Sequence, residues 1–407
     1  MTSPFFKTAV VLGLLSAIGP FAIDMYLPAL PAIGVSLNAD VAAIQQSLMV
    51  FFISLALGQL VYGPASDMFG RKAPLYFGLT LFGLSSIGCA MAGSIEALIA
   101  FRFVQGLGAG AAMVVPRAIV RDLHTGNDAA RLMSLLMLVF SVSPILAPLA
   151  GSAISAGTGW RGIFWVVTVA AVAGLVMTAR VLRETQPAAD RKHHSLGSAF
   201  AAYGLLLKDR HFLGLTFIGG FGMASFFAYL ANSSFVLITH YGLSPTMYSI
   251  AFSMNAVSFI GASQFTGRLG ARFGLKKMVR FAATGFALTM LLLLATWLLG
   301  VDRLDVLTCF LLVGNAFLGL VIPATAVLAL EEHGAIAGTA SALMGTLQLL
   351  SGAVVIGITG LFIDGSALPM VIAIASCALV TLLLTYGTLG GLRHMDVVPS
   401  SDPVSQD

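Results

Sequence analysis

The sequence predicts an all-α membrane protein in which twelve transmembrane helices form two six-helix bundles. Of the 407 residues, 58% are hydrophobic and only 9% are charged, whereas about a quarter of the residues in an ordinary soluble domain are charged. The apolar residues fall into runs long enough to span a membrane, and a ten-residue motif in the first half recurs in the second. The composition excludes a soluble protein, because too few charged residues remain to cover a water-exposed surface.

The apolar runs define the predicted helices in chain order. A spanning helix needs about 20 apolar residues, and twelve such runs lie at 8–28, 43–65, 74–94, 97–120, 132–155, 161–182, 211–238, 244–266, 278–300, 304–328, 336–362 and 367–390. The strands of a transmembrane barrel would alternate polar and apolar residues, which these runs do not. The first run lacks a small-residue cleavage site and is expected to remain as the first span. Cys89, Cys309 and Cys377 each lie alone in an apolar run and indicate neither a disulfide nor a metal site.

The distribution of basic residues predicts the orientation. Short connectors rich in Lys and Arg stay in the cytoplasm. Of the 21 basic residues, 17 lie in the even-numbered connectors and at the chain ends, whereas the opposite connectors hold only Arg161 and Arg303. Both termini are therefore expected to be cytoplasmic. The net charge of +4 follows from this topology, so no nucleic-acid partner is expected.

The longest polar connector, 184–210, divides the chain into an N-terminal bundle, 1–183, and a C-terminal bundle, 211–392, followed by a cytoplasmic tail, 393–407. The motif GPASDMFGRK at 63–72 lines up, at an offset of 204, with GRLGARFGLK at 267–276. Parallel six-helix repeats with a site at their interface are typical of transporters. The second copy has Ala271 where the first has Asp67, so we assign the charge chemistry of this motif to the first half.

Charged side chains inside an apolar run are costly in a membrane and indicate function. Three lie well inside a run: Asp24, Arg102 and Arg117. Asp24 and Arg102 are both expected in the outer third of the membrane, where equal depth permits an ion pair lining a central cavity. Burial favours the neutral form of a carboxyl and a nearby Arg favours its charged form, so Asp24 is a candidate proton carrier. Arg117 is interpreted as an interfacial, snorkelling side chain.

With these motifs the chain resembles the major facilitator superfamily, and within it the drug/proton antiporters of the Bcr/CflA type, over essentially its whole length. Residues 63–72 match the loop signature G-x-x-x-D-x-x-G-R-[RK] at every fixed position, and DMYLPALP at 24–31 matches the end of helix 1 in this subfamily. RFVQG at 102–106 matches the helix-4 motif whose Arg, here Arg102, is implicated in proton coupling. The resemblance implies the major facilitator fold and a charge cluster that gates the cytoplasmic side; the matching residues are Gly63, Asp67, Gly70, Arg71 and Asp122.

The fifth apolar run departs from the antiporter pattern. Family antiporters carry G-x-x-x-G-P-x-x-G-G there, and this chain has SPILAPLAGS at 143–152. Pro148 and Gly151 are kept, whereas Ser143, Ala147 and Ser152 replace glycines. Small residues still permit close helix packing and the proline still kinks the helix, so we assign Pro148 and Gly151 to conformational gating. The departure leaves open an alternative, a proton-coupled importer or exporter of a small metabolite on the same fold.

Helical spacing predicts the substrate contacts. Phe21 lies beside Asp24 in the sequence, and the stripe that begins at Arg102 continues through substrate candidates at Gln105, Ala109 and Met113. The second half adds aromatic and amide side chains but no charge inside a span: Phe226, Phe227, Tyr229, Asn232, Asn255 and Asn315. A cavity with one acid and mostly apolar walls suits amphiphilic, neutral or cationic molecules.

The sequence therefore predicts a proton-coupled exporter, an antiporter of drugs or amphiphilic small molecules, working by alternating access. Asp24 is the predicted proton carrier and Arg102 its partner in coupling. No phosphate-cradling loop, intramembrane nucleophile or metal cluster occurs, so neither an ATP-driven pump nor an enzyme is expected. The expected partners are the small-molecule substrate, protons and membrane lipids, with no cofactor. Since the fold is complete in one chain, a monomer is expected, and the resemblance implies a bacterial inner membrane.

Overall fold

The computed structural model describes residues 4–123, 126–186 and 196–390, and within these ranges it contains helices and no strand. The helices are α1 (Pro4–Asp24), α2 (Leu30–Leu37), α3 (Val41–Phe69), α4 (Lys72–Met91), α5 (Ile95–Leu123), α6 (Gly126–Thr158), α7 (Trp160–Arg180), α8 (Leu196–Leu206), α9 (Arg210–Ser234), α10 (Pro245–Ser263), α11 (Thr266–Phe273), α12 (Leu275–Leu298), α13 (Leu304–Glu331), α14 (Ala337–Gly360) and α15 (Leu368–Leu389). The predicted tail, 393–407, and much of the predicted connector, 187–195, lie outside the described residues.

The predicted spans correspond to the long helices. Eleven helices in the described ranges are long and apolar enough to cross a membrane. The remaining predicted run, 244–266, forms α10, a helix of 19 residues. Four polar side chains lie within it, those of Ser249, Ser253, Asn255 and Ser258. The prediction of an all-helical membrane protein is confirmed.

Three shorter helices were not predicted. The first apolar run does not end at residue 28: after Asp24 the chain makes a 3-10 turn, Leu27–Ala29, and continues as α2. Pro28 and Pro31 occupy the first turns of these elements, where proline's fixed φ is compatible with a helix start. The other two are α8, within the polar connector, and α11, within the second copy of the repeated motif.

The two copies of the motif share a backbone feature. Gly70 and Gly274 each end a helix and adopt positive φ, 87° and 83° respectively. An L side chain is disfavoured in this conformation, which glycine adopts readily. The turn lets a new helix start at once in both copies, at Lys72 and Leu275.

Two long seams join the helices before residue 186 to those after residue 196. Along one, α3 packs against α14, and the Thr346 hydroxyl donates to the carbonyl of Ala56 at 3.3 Å. Along the other, α6 packs against α10. There the hydroxyls of Ser249 and Ser253 donate to the carbonyls of Pro148 and Ile145 at 2.9 and 2.8 Å.

The two ends of the bundle carry different side chains and contacts. The end at which α3 meets α4 carries Arg71, Lys72 and Arg121 and is called the basic end below. At the opposite end, the turn Leu27–Ala29 contacts both α9 and α10. There Gln45 of α3 donates from Nε2 to Asn232 Oδ1 at 2.8 Å and to the carbonyl of Ala231 at 3.2 Å. The two sets of helices are therefore in direct contact at the opposite end.

Candidate functional site

Asp24 is the last residue of α1 and lies where three helices meet. Its side chain is buried, with 5% of the residue exposed. The Ser143 hydroxyl of α6 donates to Oδ2 at 3.3 Å, and both α6 and the turn that follows Asp24 contact α10. Since α10 belongs to the second set of helices, the carboxyl is at the seam between the two sets. Sequence reasoning noted Ser143 only as a replacement for glycine, and its hydroxyl is the donor to Asp24.

Asp24 and Arg102 do not form the ion pair that their equal depth permits. Arg102 is completely buried, and its guanidinium lies over the rings of Phe51 and Tyr26, 4.1 and 4.6 Å from their centroids. Nη1 donates to Gln105 Oε1 at 2.6 Å and more weakly to the carbonyl of Ala22 at 3.4 Å. Aromatic faces attract a cation, so the rings of Phe51 and Tyr26 stabilise the Arg102 guanidinium in place of the expected partner, the Asp24 carboxylate. Nε and Nη2 have no hydrogen-bond partner.

The predicted substrate residues divide into two pairs. Gln105 is fully buried and donates from Nε2 to the Ser86 hydroxyl at 2.7 Å, and Ala109 is also fully buried. Phe21 and Met113 are only partly buried. Met113 lies between α1 and α3, since its sulfur accepts from Gln59 Nε2 at 3.9 Å and a Cβ on Gly19 would contact it at 3.4 Å. In this conformation only Phe21 and Met113 retain exposed surface.

The predicted charge cluster is assembled at the basic end. Arg71 donates from Nε and Nη2 to the two carboxylate oxygens of Asp122, at 2.7 and 3.1 Å, and from Nη1 to Asp67. The Arg71 residue is 4% exposed. Two parallel hydrogen bonds to one carboxylate are a strong, geometrically specific form of ion pair.

The segment after α7 completes this cluster. Glu184 accepts hydrogen bonds from the backbone N–H groups of Arg71 and Lys72 at 2.8 and 3.2 Å. Gln186 Oε1 accepts from Arg71 Nη2 at 3.0 Å, and the Thr185 hydroxyl donates to Asp122 at 2.7 Å. Sequence reasoning missed these residues, because more than 110 positions separate them from Arg71 and no spacing relates the two segments. By contrast, Gly63 is in no close packing: a Cβ there would meet only Val114, at 3.9 Å.

Pro148 and Gly151 lie where α6 approaches the end of α1 and the start of α10. A Cβ on Gly151 would fall 2.1 Å from the carbonyl oxygen of Met25, so only glycine permits this approach. The carbonyl of Pro148 accepts the hydrogen bond from Ser249. Both residues thus help to pack the helices around Asp24.

The second set of helices contributes a polar and aromatic network. Asn315 of α13 donates to Asn255 Oδ1 at 2.9 Å, and Asn255 donates to the Tyr229 hydroxyl at 3.3 Å. Tyr229 stacks on Phe252 with ring centroids 5.6 Å apart. Tyr229, Asn255 and Asn315 are among the aromatic and amide side chains that the sequence analysis singled out in the second half, whereas Phe252 was not.

Comparison with known proteins identifies the class of protein. The family model of the Major Facilitator Superfamily matches residues 12–356, and the chain belongs to this family of transporters. It is 39% identical over 365 residues to an uncharacterized MFS-type transporter, YdgK of Bacillus subtilis, covering 89% of this chain and 90% of that one. A bicyclomycin resistance protein homolog of Haemophilus influenzae is 30% identical over 93% of this chain and 94% of its own length.

Further relatives and solved structures agree with this membership. The multidrug resistance protein MdtL of a Shewanella species is 30% identical over 94% of this chain and 96% of its own. These relatives support the resemblance to the Bcr/CflA-type antiporters. A D-xylose–proton symporter crystal structure superposes with a TM-score of 0.73 at 17% identity, covering 94% of this chain and 98% of that one, which shows the shared fold. The protein is therefore a multi-pass membrane transporter, and its bacterial relatives support a bacterial inner membrane.

Proposed function

We propose that this transporter exports drugs or other amphiphilic small molecules in exchange for protons, by alternating access of a site between the two sets of helices. The observation that carries the proposal is Asp24, a carboxyl buried at the seam of α1, α6 and α10 with Ser143 as its hydrogen-bond donor. Relatives named for bicyclomycin and multidrug resistance support the substrate class. The distribution of basic residues supports cytoplasmic termini.

The position of Asp24 links protonation to helix movement. A charged carboxylate in an apolar interior is costly without a cation, and among the described residues no cation lies within 4 Å of this one. Binding a proton removes that cost. Movement of α10 away from α1 and α6 would open the carboxyl to water and favour its charged form. One group would thereby take up and release a proton as the seam closes and opens.

The direction of coupling follows from this cycle. A deprotonated Asp24 accompanies the substrate that enters from the cytoplasmic side, and an external proton neutralises the carboxyl before the substrate leaves. Each elementary charge that crosses the membrane field contributes about 2.3 kcal/mol per 100 mV. One proton per cycle would therefore be enough to maintain a gradient of a neutral substrate.

Proteoliposomes with a pH-sensitive dye inside and an imposed proton gradient test the proposal. We expect added compounds to drive proton flux opposite to their own movement, and Asp24→Asn to abolish the coupled flux while the protein still folds. Asp305→Asn is the matched control, because Asp305 lies on an exposed surface with 62% of its side chain accessible. Retained coupling in Asp24→Asn would refute the role of Asp24.

The direction of flux separates export from import. Proton and compound moving in the same direction would make the protein an importer, which is one form of the alternative proposal. Absence of proton flux across a broad panel of amphiphilic drugs would contradict drug export but leave the transporter fold unaffected.

A further inference from the structure

The second copy of the repeated motif forms a strongly basic surface. Arg268 and Arg272 lie four residues apart on α11 and therefore share one face of it. Lys276, Lys277 and Arg280 follow in the first turns of α12. Arg280 is partly buried and the other four are exposed. We call these five residues the α11 surface.

The α11 surface lacks the anions that neutralise the first copy. In the first copy, Arg71 is bound by Asp67 and Asp122; in the second, Ala271 stands at the position of Asp67, and residues 264–281 contain no acidic side chain. Across the part of the chain that the structure describes, no carboxylate forms an ion pair with the α11 surface. Arg280 Nε is buried without a hydrogen-bond partner. An anion that neutralises this surface would therefore come from outside the described residues.

Exposed phenylalanines lie among these cations. Phe265, Phe273 and Phe281 are 52, 53 and 69% exposed, and the guanidinium of Arg272 lies 5.2 Å from the ring centroid of Phe273. The membrane span of α12 begins at Leu275, so the α11 surface lies at the boundary between the apolar core and the headgroups. A short helix that combines arginines with exposed aromatic rings is typical of binding in the plane of this interface.

We propose that the α11 surface binds the phosphate headgroups of anionic phospholipids, with the three phenylalanines inserted among the adjoining acyl chains. Position decides between a lipid and a soluble polyanion, because the cations lie at the end of a membrane span and apolar rings flank them. Guanidinium groups suit phosphate oxygens, to which they donate two hydrogen bonds. This inference does not depend on the proposed transport activity.

Lipid binding to the full-length protein tests the proposal. Native mass spectrometry in a neutral detergent would compare phosphatidylglycerol with phosphatidylcholine of the same acyl chains. Each cation near an anionic membrane surface contributes about fivefold in affinity. We therefore expect the triple variant Arg268→Gln, Arg272→Gln, Lys276→Gln to lose phosphatidylglycerol affinity on the order of a hundredfold.

A matched control removes three charges elsewhere at the basic end, with Arg180→Gln, Lys208→Gln and Arg210→Gln, all exposed in the structure. We expect this control to stay within about threefold of the parent, because Arg180 lies at the end of α7 whereas Lys208 and Arg210 lie at the start of α9, so the three cations do not form one cluster as those of the α11 surface do. Equal losses in the two triple variants, or equal affinity for the two lipids, would overturn the proposal.

A charge-preserving variant separates the effect of lost charge from the effect of misfolding. Arg268→Lys, Arg272→Lys and Lys276→Arg should retain binding to phosphatidylglycerol within about tenfold, because the attraction is mainly electrostatic. Size-exclusion chromatography would establish that each variant is folded. Loss of binding in this folded, charge-preserving variant would contradict an electrostatic headgroup site.

Discussion

Replacing Arg71 and Asp122 with alanine, singly and together, measures what their partly buried ion pair contributes to stability. The side chains are only 5 and 18% exposed, and two hydrogen bonds of 2.7 and 3.1 Å join them. Removing one partner of a buried pair costs about 3–5 kcal/mol. In the Arg71→Ala variant, Asp122 keeps its hydrogen bond from Thr185 and some contact with solvent. We therefore expect the free energy of unfolding to fall by about 3 kcal/mol, at the low end of that range. The double-mutant cycle should give a coupling of about 1.5–3 kcal/mol.

The ion pair between Arg303 and Asp305 is the control for burial. It has the same chemistry, with two hydrogen bonds of 3.0 and 2.6 Å, but its side chains are 67 and 62% exposed. Exposed pairs contribute little, because water screens them and ordering two side chains costs entropy. The assay is the free energy of unfolding in mixed micelles titrated with sodium dodecyl sulfate. Equal coupling energies in the two cycles would refute the claim that burial makes the Arg71 cluster strong.

Two further predictions concern the opposite end and the helix α6, and both use unfolding in the same micelles. Gly151→Ala should lower the free energy of unfolding by about 1–3 kcal/mol, because the added Cβ would overlap a backbone carbonyl. Gly157→Ala is the control: nothing lies within 4 Å of its Cβ, so the free energy of unfolding should stay the same or rise by up to about 1 kcal/mol. Equal effects of the two substitutions would contradict the packing argument. Gln45→Leu should cost about 1–3 kcal/mol by removing its hydrogen bonds to Asn232 and the neighbouring carbonyl. Gln46→Leu, at the exposed neighbouring position, should change stability by less than about 0.5 kcal/mol, and an equal loss there would argue against the Gln45 contact.

The long helices could be predicted because one physical requirement fixes them. An apolar run of about 20 residues has no alternative to a helix in a membrane, so composition alone located them. The short helices follow a different rule. Helix α11 is short, polar and basic and packs against α12 and α13. Its amphipathic pattern is a helical signal, but a search for long apolar runs does not detect it.

The ion pair expected between Asp24 and Arg102 does not form, because equal depth in the membrane does not determine whether two side chains meet. Two residues at equal depth meet only if their helices also turn the side chains toward each other. Here α1 ends at Asp24, and its carboxyl accepts from α6 while Arg102 stacks on α3 and on the turn. The break in α1 decides this outcome. Pro28 and Pro31 indicate that break in the sequence, but they do not predict the direction in which the side chains around it point.

Asp24 and Arg102 therefore have different neighbourhoods. Arg102 has partners in α1, α3 and α5 and in the turn after α1, all within the first set of helices, so rocking of the two sets as units would leave its surroundings unchanged. Asp24 instead precedes the turn Leu27–Ala29, which contacts α9 and α10 of the second set. Tyr26, which stacks on Arg102, is only two residues from Asp24. A shift of the turn after α1 would move Tyr26 and Asp24 together, so in the proposed mechanism this turn connects the surroundings of Arg102 with the carboxyl of Asp24.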